Sequence, residues 1–387
     1  MKMTRYMLLP LALLAFAGCT KVEVGEAPAT KVTFQAVNYL NQTKAGEVAV
    51  SEFTAFNCMG YLHAEGVDIK LVNGSFVDQG TKQYFFGEDG ETITYHAATT
   101  GTNAQPANWS PSHAYYWPKG TQSYVDFVGW YGTSEPDVEY EMNDDDEWEA
   151  TMSWDFSSSA LPADANLMYA DVAWRYKANN KPATYTAVSG VAEGVPMLFH
   201  HALAKVIFQA KAATLTDTDP VTSYAVSITD ITLSSIYNKG TLSLTNTDPG
   251  SNTHVDWDTE GWSLSGSAVP VAKTGGDLAL DTDVKEIPGL VMAVLPQDIS
   301  DVKVAITYEI STWYSDSTSG DPDVVEQITV EPDIPLCGTG GFGTNDKWEI
   351  NTKYTYTIII DPSTDVIKFL PDAQPWIEVT TNPVTIE

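Results

Sequence analysis

Apolar and polar residues alternate along many short stretches of this chain, and this alternation constrains the fold more than any other feature. The pattern is clearest over residues 302–310 and 354–360, and it recurs at 204–211, 224–233 and 241–245. Successive side chains of a strand point to opposite faces, so each stretch predicts a strand with one buried face. Turn-forming pairs separate these stretches: Asn73-Gly74, Asp89-Gly90, Lys239-Gly240 and Asp361-Pro362. No stretch has the period of a long amphipathic helix, so we expect an all-β protein.

The chain has 387 residues, which favours two domains of ordinary size over one small sandwich. Hydrophobic residues make up 43% of it, enough to fill a core and to exclude global disorder. A small, polar stretch with Gly and Pro around residues 178–195 interrupts the strand pattern, which resumes at Met197. We therefore predict an N-terminal sandwich over 30–192 and a C-terminal sandwich over 193–387.

Charge excludes two classes of partner. The chain has 51 acidic against 20 basic residues, a net charge of −31, and its only arginines are Arg5 and Arg175. Such a surface repels phosphate, so we expect no nucleic-acid binding. Docking on anionic membranes through basic patches is excluded for the same reason.

The first residues have the features of an export signal. Lys2 and Arg5 precede a short leucine-rich run that is too short for a permanent membrane span. The run ends in Ala17-Gly18-Cys19, which resembles a bacterial lipobox, where cleavage leaves a lipidated N-terminal cysteine. We predict a signal peptide over 1–18, lipidation of Cys19 and a tether over 19–29. An ordinary secretion signal with a coincidental cysteine is the alternative.

Motifs that could carry catalysis or bind a metal are better explained as structure. Gly338, Gly340 and Gly343 fit G-x-G-x-x-G, but a strand pattern follows them where a dinucleotide site needs a helix. His200 and His201 are neighbours, so on a strand they face opposite sides and cannot share one metal. The acidic run 143–147 lacks the spacing of an EF-hand loop. We expect no enzymatic activity, no metal site and no cofactor.

Two further groups of residues leave alternatives open. Besides Cys19 there are only Cys58 and Cys337, which could form a disulfide, although two free thiols are favoured. The aromatic segments 115–118 and 127–131 could form a platform for sugar stacking. Filling of a sandwich core by paired strands is the favoured interpretation.

An ordered set of short motifs resembles the fimbrillin family, lipoprotein pilins and their related tip and anchor subunits from Gram-negative anaerobes. The set begins with Cys19 and a first strand, KVTFQA, and ends with WEINTKYTYTIII and Trp376. The elements between them are HAYYWPKGTQSYVDFVGWYG, NLMYADVA, VPMLFHHALAKVIFQ and VMAVLPQD. Each motif alone is degenerate, whereas the order of the set is specific and spans nearly the whole chain.

The resemblance implies two tandem β-sandwich domains with transthyretin-like Greek-key topology. It also implies delivery to the outer membrane as a lipoprotein and assembly into a surface fimbria that serves adhesion. Assembly in this family follows proteolysis and strand exchange. The implied partners are other fimbrial subunits, in a homo- or hetero-polymer, the outer membrane through the N-terminal lipid, and surface ligands on host or bacterial cells.

Strand exchange assigns roles to the two ends of the chain. Val32, Phe34 and Ala36 are predicted to form a sacrificial first strand. Members of the family are commonly cleaved by an arginine-specific protease in the loop after the first strand, but no arginine lies between Arg5 and Arg175. Cleavage is therefore expected after Lys44, or as a second choice after Lys31. The tail 377–387 is the predicted donor strand, or else it completes the sheet of its own domain. Its apolar residues alternate in two pairs: Ile377 with Val379, and Val384 with Ile386.

Other roles compatible with the sequence are a tip or anchor subunit of the same fold and a surface glycan-binding lipoprotein. A glycan receptor would keep residues 30–44, whereas a pilin would lose them on maturation.

Overall fold

The computed structural model describes the chain from residue 30 to residue 375 with gaps, and every structural statement below concerns the described residues. These are 30–38, 54–67, 69–73, 75–78, 80, 83–119, 123–132, 135–142, 148–156, 167–176, 194–218, 221–246, 257–316, 318, 320–330, 334–337, 345–363 and 366–375. Within them the secondary structure consists of twenty-eight strands without a helix, and so none of them forms a helix able to cross a membrane. The predicted all-β fold is confirmed.

The strands are, in chain order, β1 (Phe34–Asn38), β2 (Ala55–His63), β3 (Ile69–Val72), β4 (Ser75–Asp78), β5 (Gln83–Tyr84), β6 (Glu91–His96), β7 (Asn108–Pro111), β8 (Tyr124–Tyr131), β9 (Asp137–Met142), β10 (Trp148–Asp155), β11 (Met168–Ala170), β12 (Ala173–Tyr176), β13 (Val195–His201), β14 (Ala204–Ala212), β15 (Thr216–Thr218), β16 (Val221–Ile236), β17 (Lys239–Asn246), β18 (Trp257–Leu264), β19 (Val269–Ala272), β20 (Leu278–Leu280), β21 (Lys285–Val294), β22 (Gln297–Asp298), β23 (Lys303–Tyr314), β24 (Val324–Thr329), β25 (Ile334–Pro335), β26 (Lys347–Trp348), β27 (Thr352–Asp361) and β28 (Val366–Pro375).

The alternating stretches of the sequence become strands of the expected kind. In β14 every second side chain, from Ala204 to Ala212, is buried, and the side chains between them are half-exposed. The same alternation continues along β27. Burying one face of each strand removes apolar surface from water, which is the main force that holds such sheets together.

The C-terminal part of the chain is a two-sheet sandwich. One sheet has the order β21-β14-β27-β28, and the other has the order β15-β16-β23-β24, with β19, β20 and β25 at its margins. Their inner faces share a core of buried aliphatic and aromatic residues, among them Phe208, Ile306, Tyr356 and Ile358. Phe208 and Tyr356 stack with ring centroids 4.9 Å apart.

The N-terminal part is a larger sheet that closes on itself. Its pairings follow the order β8-β11-β13-β1-β7-β6-β2, and β2 pairs with β8 again, so these strands form a closed ring. β12 and β5 pair at its margins. The core that includes Phe34, Phe56, Phe127 and Phe199 draws residues from strands all around this ring.

A third sheet, with the order β18-β17-β10-β9, connects the two parts. β9 and β10 precede residue 193, whereas β17 and β18 follow it, and β10 pairs with β17 along its length. The core beneath this sheet also combines the two parts, since Trp130 and Trp154 pack in one cluster with Leu244 and Leu295. The predicted boundary between 192 and 193 stays a prediction, with most of its linker outside the described residues.

A buried polar cluster lies where the connecting sheet meets the ring. The Asp126 carboxylate on β8 accepts a hydrogen bond from the Tyr140 hydroxyl on β9 at 2.9 Å and another from the Arg175 backbone N–H. His63 Nε2 lies 3.2 Å from the same carboxylate, and both side chains are fully buried. Trp148 stacks on Tyr140 with ring centroids 4.9 Å apart. Because a buried carboxylate needs donors around it, this cluster fixes how the two sheets meet.

Candidate functional site

The predicted sacrificial strand, β1, is one of the strands that form the N-terminal ring, between β13 and β7. β1 pairs in parallel with β13 along its whole length, from Phe34 opposite Val195 to Asn38 opposite Phe199. On its other side the described pairing with β7 is limited to Phe34 opposite Trp109. One edge of β1 is therefore held by a full ladder, and the other edge by a short contact.

The apolar face of β1 fills the inside of the ring. Val32, Phe34 and Ala36 are all buried, and Phe34 is fully so. The Phe34 ring meets Phe127 edge-on at 5.1 Å and Phe56 edge-on at 6.0 Å, measured between ring centroids. Edge-to-face contacts at these distances are favourable beyond the apolar area they bury. The structure thus gives Phe34 the central position of the three, while the sacrificial role of the strand stays a prediction.

Residues 30–32, which lead into β1, are held by backbone hydrogen bonds to the segment 112–117, which we call the clasp. The Val32 N–H donates to the Tyr115 carbonyl at 2.9 Å, and the Trp117 N–H donates to the Thr30 carbonyl at 3.2 Å. Lys31, the second choice for the cleavage site, forms a bridge with Tyr116 and has an exposed side chain. This clasp holds the start of the strand and leaves Lys31 at the surface.

Glu91 on β6 organises the clasp. Its carboxylate accepts hydrogen bonds from the Ser112 and Tyr115 hydroxyls, each at 2.8 Å, and lies 2.9 Å from His113 Nδ1. Burial raises the pKa of the Glu91 carboxyl, but the bonds from His113, Ser112 and Tyr115 outweigh it, so the pKa lies below its usual value. The Glu91 carboxylate is therefore charged near neutral pH and accepts the hydrogen bonds of the clasp at that pH.

Gly194, just before β13, allows the backbone of β1 to approach closely. A Cβ atom at this position would lie 2.6 Å from both the N and the C atoms of the Phe34 backbone. Backbone atoms cannot move aside as a flexible side chain can. The close contact between the two strands therefore requires glycine here.

Replacing Gly194 with alanine is expected to push β1 away from β13. We expect a loss of about 1–3 kcal/mol, as for other forced overpacking, concentrated in β1. Hydrogen exchange should be faster at the Phe34–Asn38 amides, with smaller changes in the C-terminal sandwich. Gly276→Ala is the control, since a Cβ at Gly276 meets nothing within 4 Å. Equal protection of β1 in the two variants would contradict the close-approach argument.

Several predicted site residues lie outside the described part of the chain. They are the lipidation site Cys19, the first-choice cleavage site Lys44 and the tail residues Ile377, Val379, Val384 and Ile386. The chain is described as far as Pro375, at the end of β28, which pairs antiparallel with β27 along its length. The roles given to Cys19, Lys44 and the tail stay predictions, as does cleavage at Lys31.

The two neighbouring histidines and the two cysteines, considered above as ligand or redox sites, have structural explanations. His201 is buried while His200 on the opposite face is half-buried, as the alternation predicts. Burial lowers the pKa of His201 to about 4 and so keeps the ring neutral at physiological pH. Cys58 and Cys337 are free thiols, and burial raises the pKa of each, which disfavours the reactive thiolate. No metal-binding group of three or more His, Cys, Asp or Glu occurs among the described residues.

The aromatic segments serve mainly as core, as the favoured interpretation predicts. Phe127 and Trp130 on β8 are buried, and Tyr115 and Trp117 pack against the core of the ring. Tyr116 is the exception, with 46% of its surface exposed.

Comparison with known proteins decides the family. The sequence model of a family described as fimbrillin-like matches residues 73–378, which is well over half of the chain. The chain belongs to the fimbrillin-like family. The resemblance drawn from the motifs is thereby confirmed. A comparison of this fimbrillin-like protein with curated proteins found no match.

Solved structures similar to this fimbrillin-like protein include a fimbrial protein from Bacteroides vulgatus. It is 14% identical, with 90% of this chain and 99% of that chain covered and a TM-score of 0.49. A candidate cell adhesion protein from Bacteroides uniformis is 17% identical over 90% of this chain and 98% of its own, with a TM-score of 0.39. A fimbrial assembly protein from Parabacteroides distasonis is 8% identical over 89% and 95%, with a TM-score of 0.29.

Proposed function

We propose that this fimbrillin-like protein is a structural subunit of a cell-surface fimbria that serves adhesion. Membership of the family supports assembly with other fimbrial subunits and a place on a surface appendage. The finer proposal has three parts: export as a lipoprotein anchored to the outer membrane through Cys19, proteolytic removal of the first strand, and replacement of that strand by one from a neighbouring subunit.

The observation that carries the proposal is the position of β1 in the closed ring. Without β1, the ring would open between β13 and β7, and the side chains that surround Phe34 would face water. The edge of β13 would also lose its hydrogen-bond partners from Val195 to Phe199. An apolar groove beside an unpaired strand edge is a site for β-augmentation.

A donated strand would restore both losses. Each new ladder bond contributes about 1 kcal/mol net, and each well-buried apolar side chain about 1.5–3 kcal/mol. Several of each exceed what is needed for a joint that persists for the life of a fibre. Residues 377–387 are the proposed donor, because they follow the last described strand and carry Ile377, Val379, Val384 and Ile386. The alternative is that this tail completes its own domain, as a tip subunit would allow. Truncation after Trp376 distinguishes this alternative from strand donation.

Cleavage in the segment after β1 is the proposed trigger. Lys44 in this segment is the first choice, and the second choice is the exposed Lys31, which lies before β1. A cut after Lys31 would leave β1 attached to the body of the protein. A cut after Lys44 would sever it from everything that follows, so strand loss is more direct there.

Deletion of residues 30–44 from the mature protein tests the proposal. The groove should then be open, and we expect binding of the dye ANS together with assembly into oligomers. The tail-truncated form of the same deletion variant is the control: it should bind ANS and stay monomeric. A deletion variant that is folded, monomeric and without ANS binding would refute strand exchange.

A tip or anchor subunit would use the same groove, and the deletion test does not depend on position in the fibre. The glycan-receptor alternative gains nothing from the segment 127–131, because Phe127 and Trp130 are buried.

A further inference from the structure

Gln35, the second residue of β1, carries a buried side-chain amide. Its neighbours in sequence, Phe34 and Ala36, face the core of the ring, so Gln35 points to the opposite face. This face is covered as well, since only 1% of the Gln35 surface is exposed. Neither Nε2 nor Oε1 of the amide has a hydrogen-bond partner within the described part of the chain.

On β13, the strand that pairs with β1 along its length, the residue beside this amide has no polar side-chain atom. The register places Gln35 opposite Pro196 of β13, and proline has no polar side-chain atom. Pro196 is itself buried. Residues in register on adjacent strands share a face, so an apolar ring lies beside the amide.

A buried amide without partners is less stable than the same amide in water, where both of its polar atoms form hydrogen bonds. The amide would recover these bonds when β1 leaves the sheet. Gln35 therefore opposes Val32, Phe34 and Ala36, whose burial keeps the strand in place.

We propose that Gln35 makes the first strand replaceable, acting as the residue that discriminates between the chain's own strand and an incoming one. The favoured occupant is a strand from another fimbrial subunit with an apolar side chain at the Gln35 register. Such a strand would form the same ladder with β13 and would place no unpaired amide beside Pro196. This inference rests on the proposed strand exchange, whereas the destabilising effect of Gln35 on β1 can be measured without it.

The test uses the full chain with Gln35→Met, which keeps the length of the side chain and removes the amide. Thr33→Val is the control, because Thr33 directly precedes β1, lies two residues from Gln35 and so faces the same side of an extended chain, and is half-buried. The first measurement is native-state hydrogen exchange of the Phe34–Asn38 amides in the uncleaved monomer. We expect Gln35→Met to slow this exchange by about tenfold or more, and Thr33→Val to change it much less. The second measurement is the amount of fibre on cells that produce each variant, where Gln35→Met should give less than wild type and Thr33→Val should not.

Unchanged or faster exchange of the β1 amides in Gln35→Met would overturn the proposal, since the amide would then cost nothing in place. Slower exchange with wild-type amounts of fibre would overturn the role in replacement. Wild-type protein that forms no fibre after losing its first strand would contradict the proposed function instead, and the exchange measurement would still decide whether Gln35 destabilises β1.

Discussion

Replacing Phe34 with alanine is expected to lower the free energy of unfolding by about 3–5 kcal/mol, the range for truncating a fully buried aromatic side chain. Phe34 is 0% exposed and touches the rings of Phe56 and Phe127 at the centre of the ring of strands. Because the described pairing of β1 with β7 is confined to Phe34, the loss should appear first as opening of that seam. Chemical denaturation of the uncleaved monomer and ANS binding measure the two effects.

Tyr116→Ala is the matched control for this change. Tyr116 is also aromatic and lies in the clasp over the same strand, but 46% of its surface is exposed. Truncating it should cost under about 1 kcal/mol. A comparable small loss for Phe34→Ala would mean that the first strand contributes little to the ring.

The buried carboxylate at the joint between the sheets gives the second large effect. Replacing Asp126 with alanine leaves the Tyr140 hydroxyl and the Arg175 backbone N–H without their acceptor, and removes the partner of buried His63. We expect a loss of about 3–5 kcal/mol in the free energy of unfolding. Asp126→Asn, which keeps one acceptor oxygen, should lose less.

Asp155→Ala provides the contrast at the surface. Asp155 pairs with Lys239 at 2.8 Å, but both side chains are close to half exposed. Exposed pairs contribute about 0–1 kcal/mol, so this variant should unfold almost like wild type. Similar losses for Asp126→Ala and Asp155→Ala would contradict the structural role of the buried cluster.

Much of the strand content could be predicted from the sequence because the signal is local. A strand with one buried face shows a period of two, and the stretches that became β14, β16, β23 and β27 all show it. β8 is different, since its residues from Tyr124 to Trp130 are buried on both faces and the alternation disappears. Its burial of Asp126 could not be predicted from the pattern for the same reason.

Pairing between distant strands was beyond prediction. β10 joins β17, and β1 joins β13, across long separations that no local pattern encodes. The apolar face of β1 was predicted from Val32, Phe34 and Ala36, whereas Gly194 and Gln35 gained their meaning only from the neighbouring strand. A glycine beside a loop and a glutamine in a strand are ordinary in sequence. Gly194 matters because a Cβ atom there would lie 2.6 Å from the Phe34 backbone. Gln35 matters because its amide is buried without a hydrogen-bond partner in the described part of the chain.

Intact mass combined with N-terminal sequencing of subunits taken from assembled surface fibres tests the central claim most directly. If the first strand is removed and replaced, the assembled subunit lacks Val32, Phe34 and Ala36, and its N-terminus is at Ala45 when the cut follows Lys44. An assembled subunit that begins at lipidated Cys19 or at Thr20 still carries its first strand, and that result would contradict the claim.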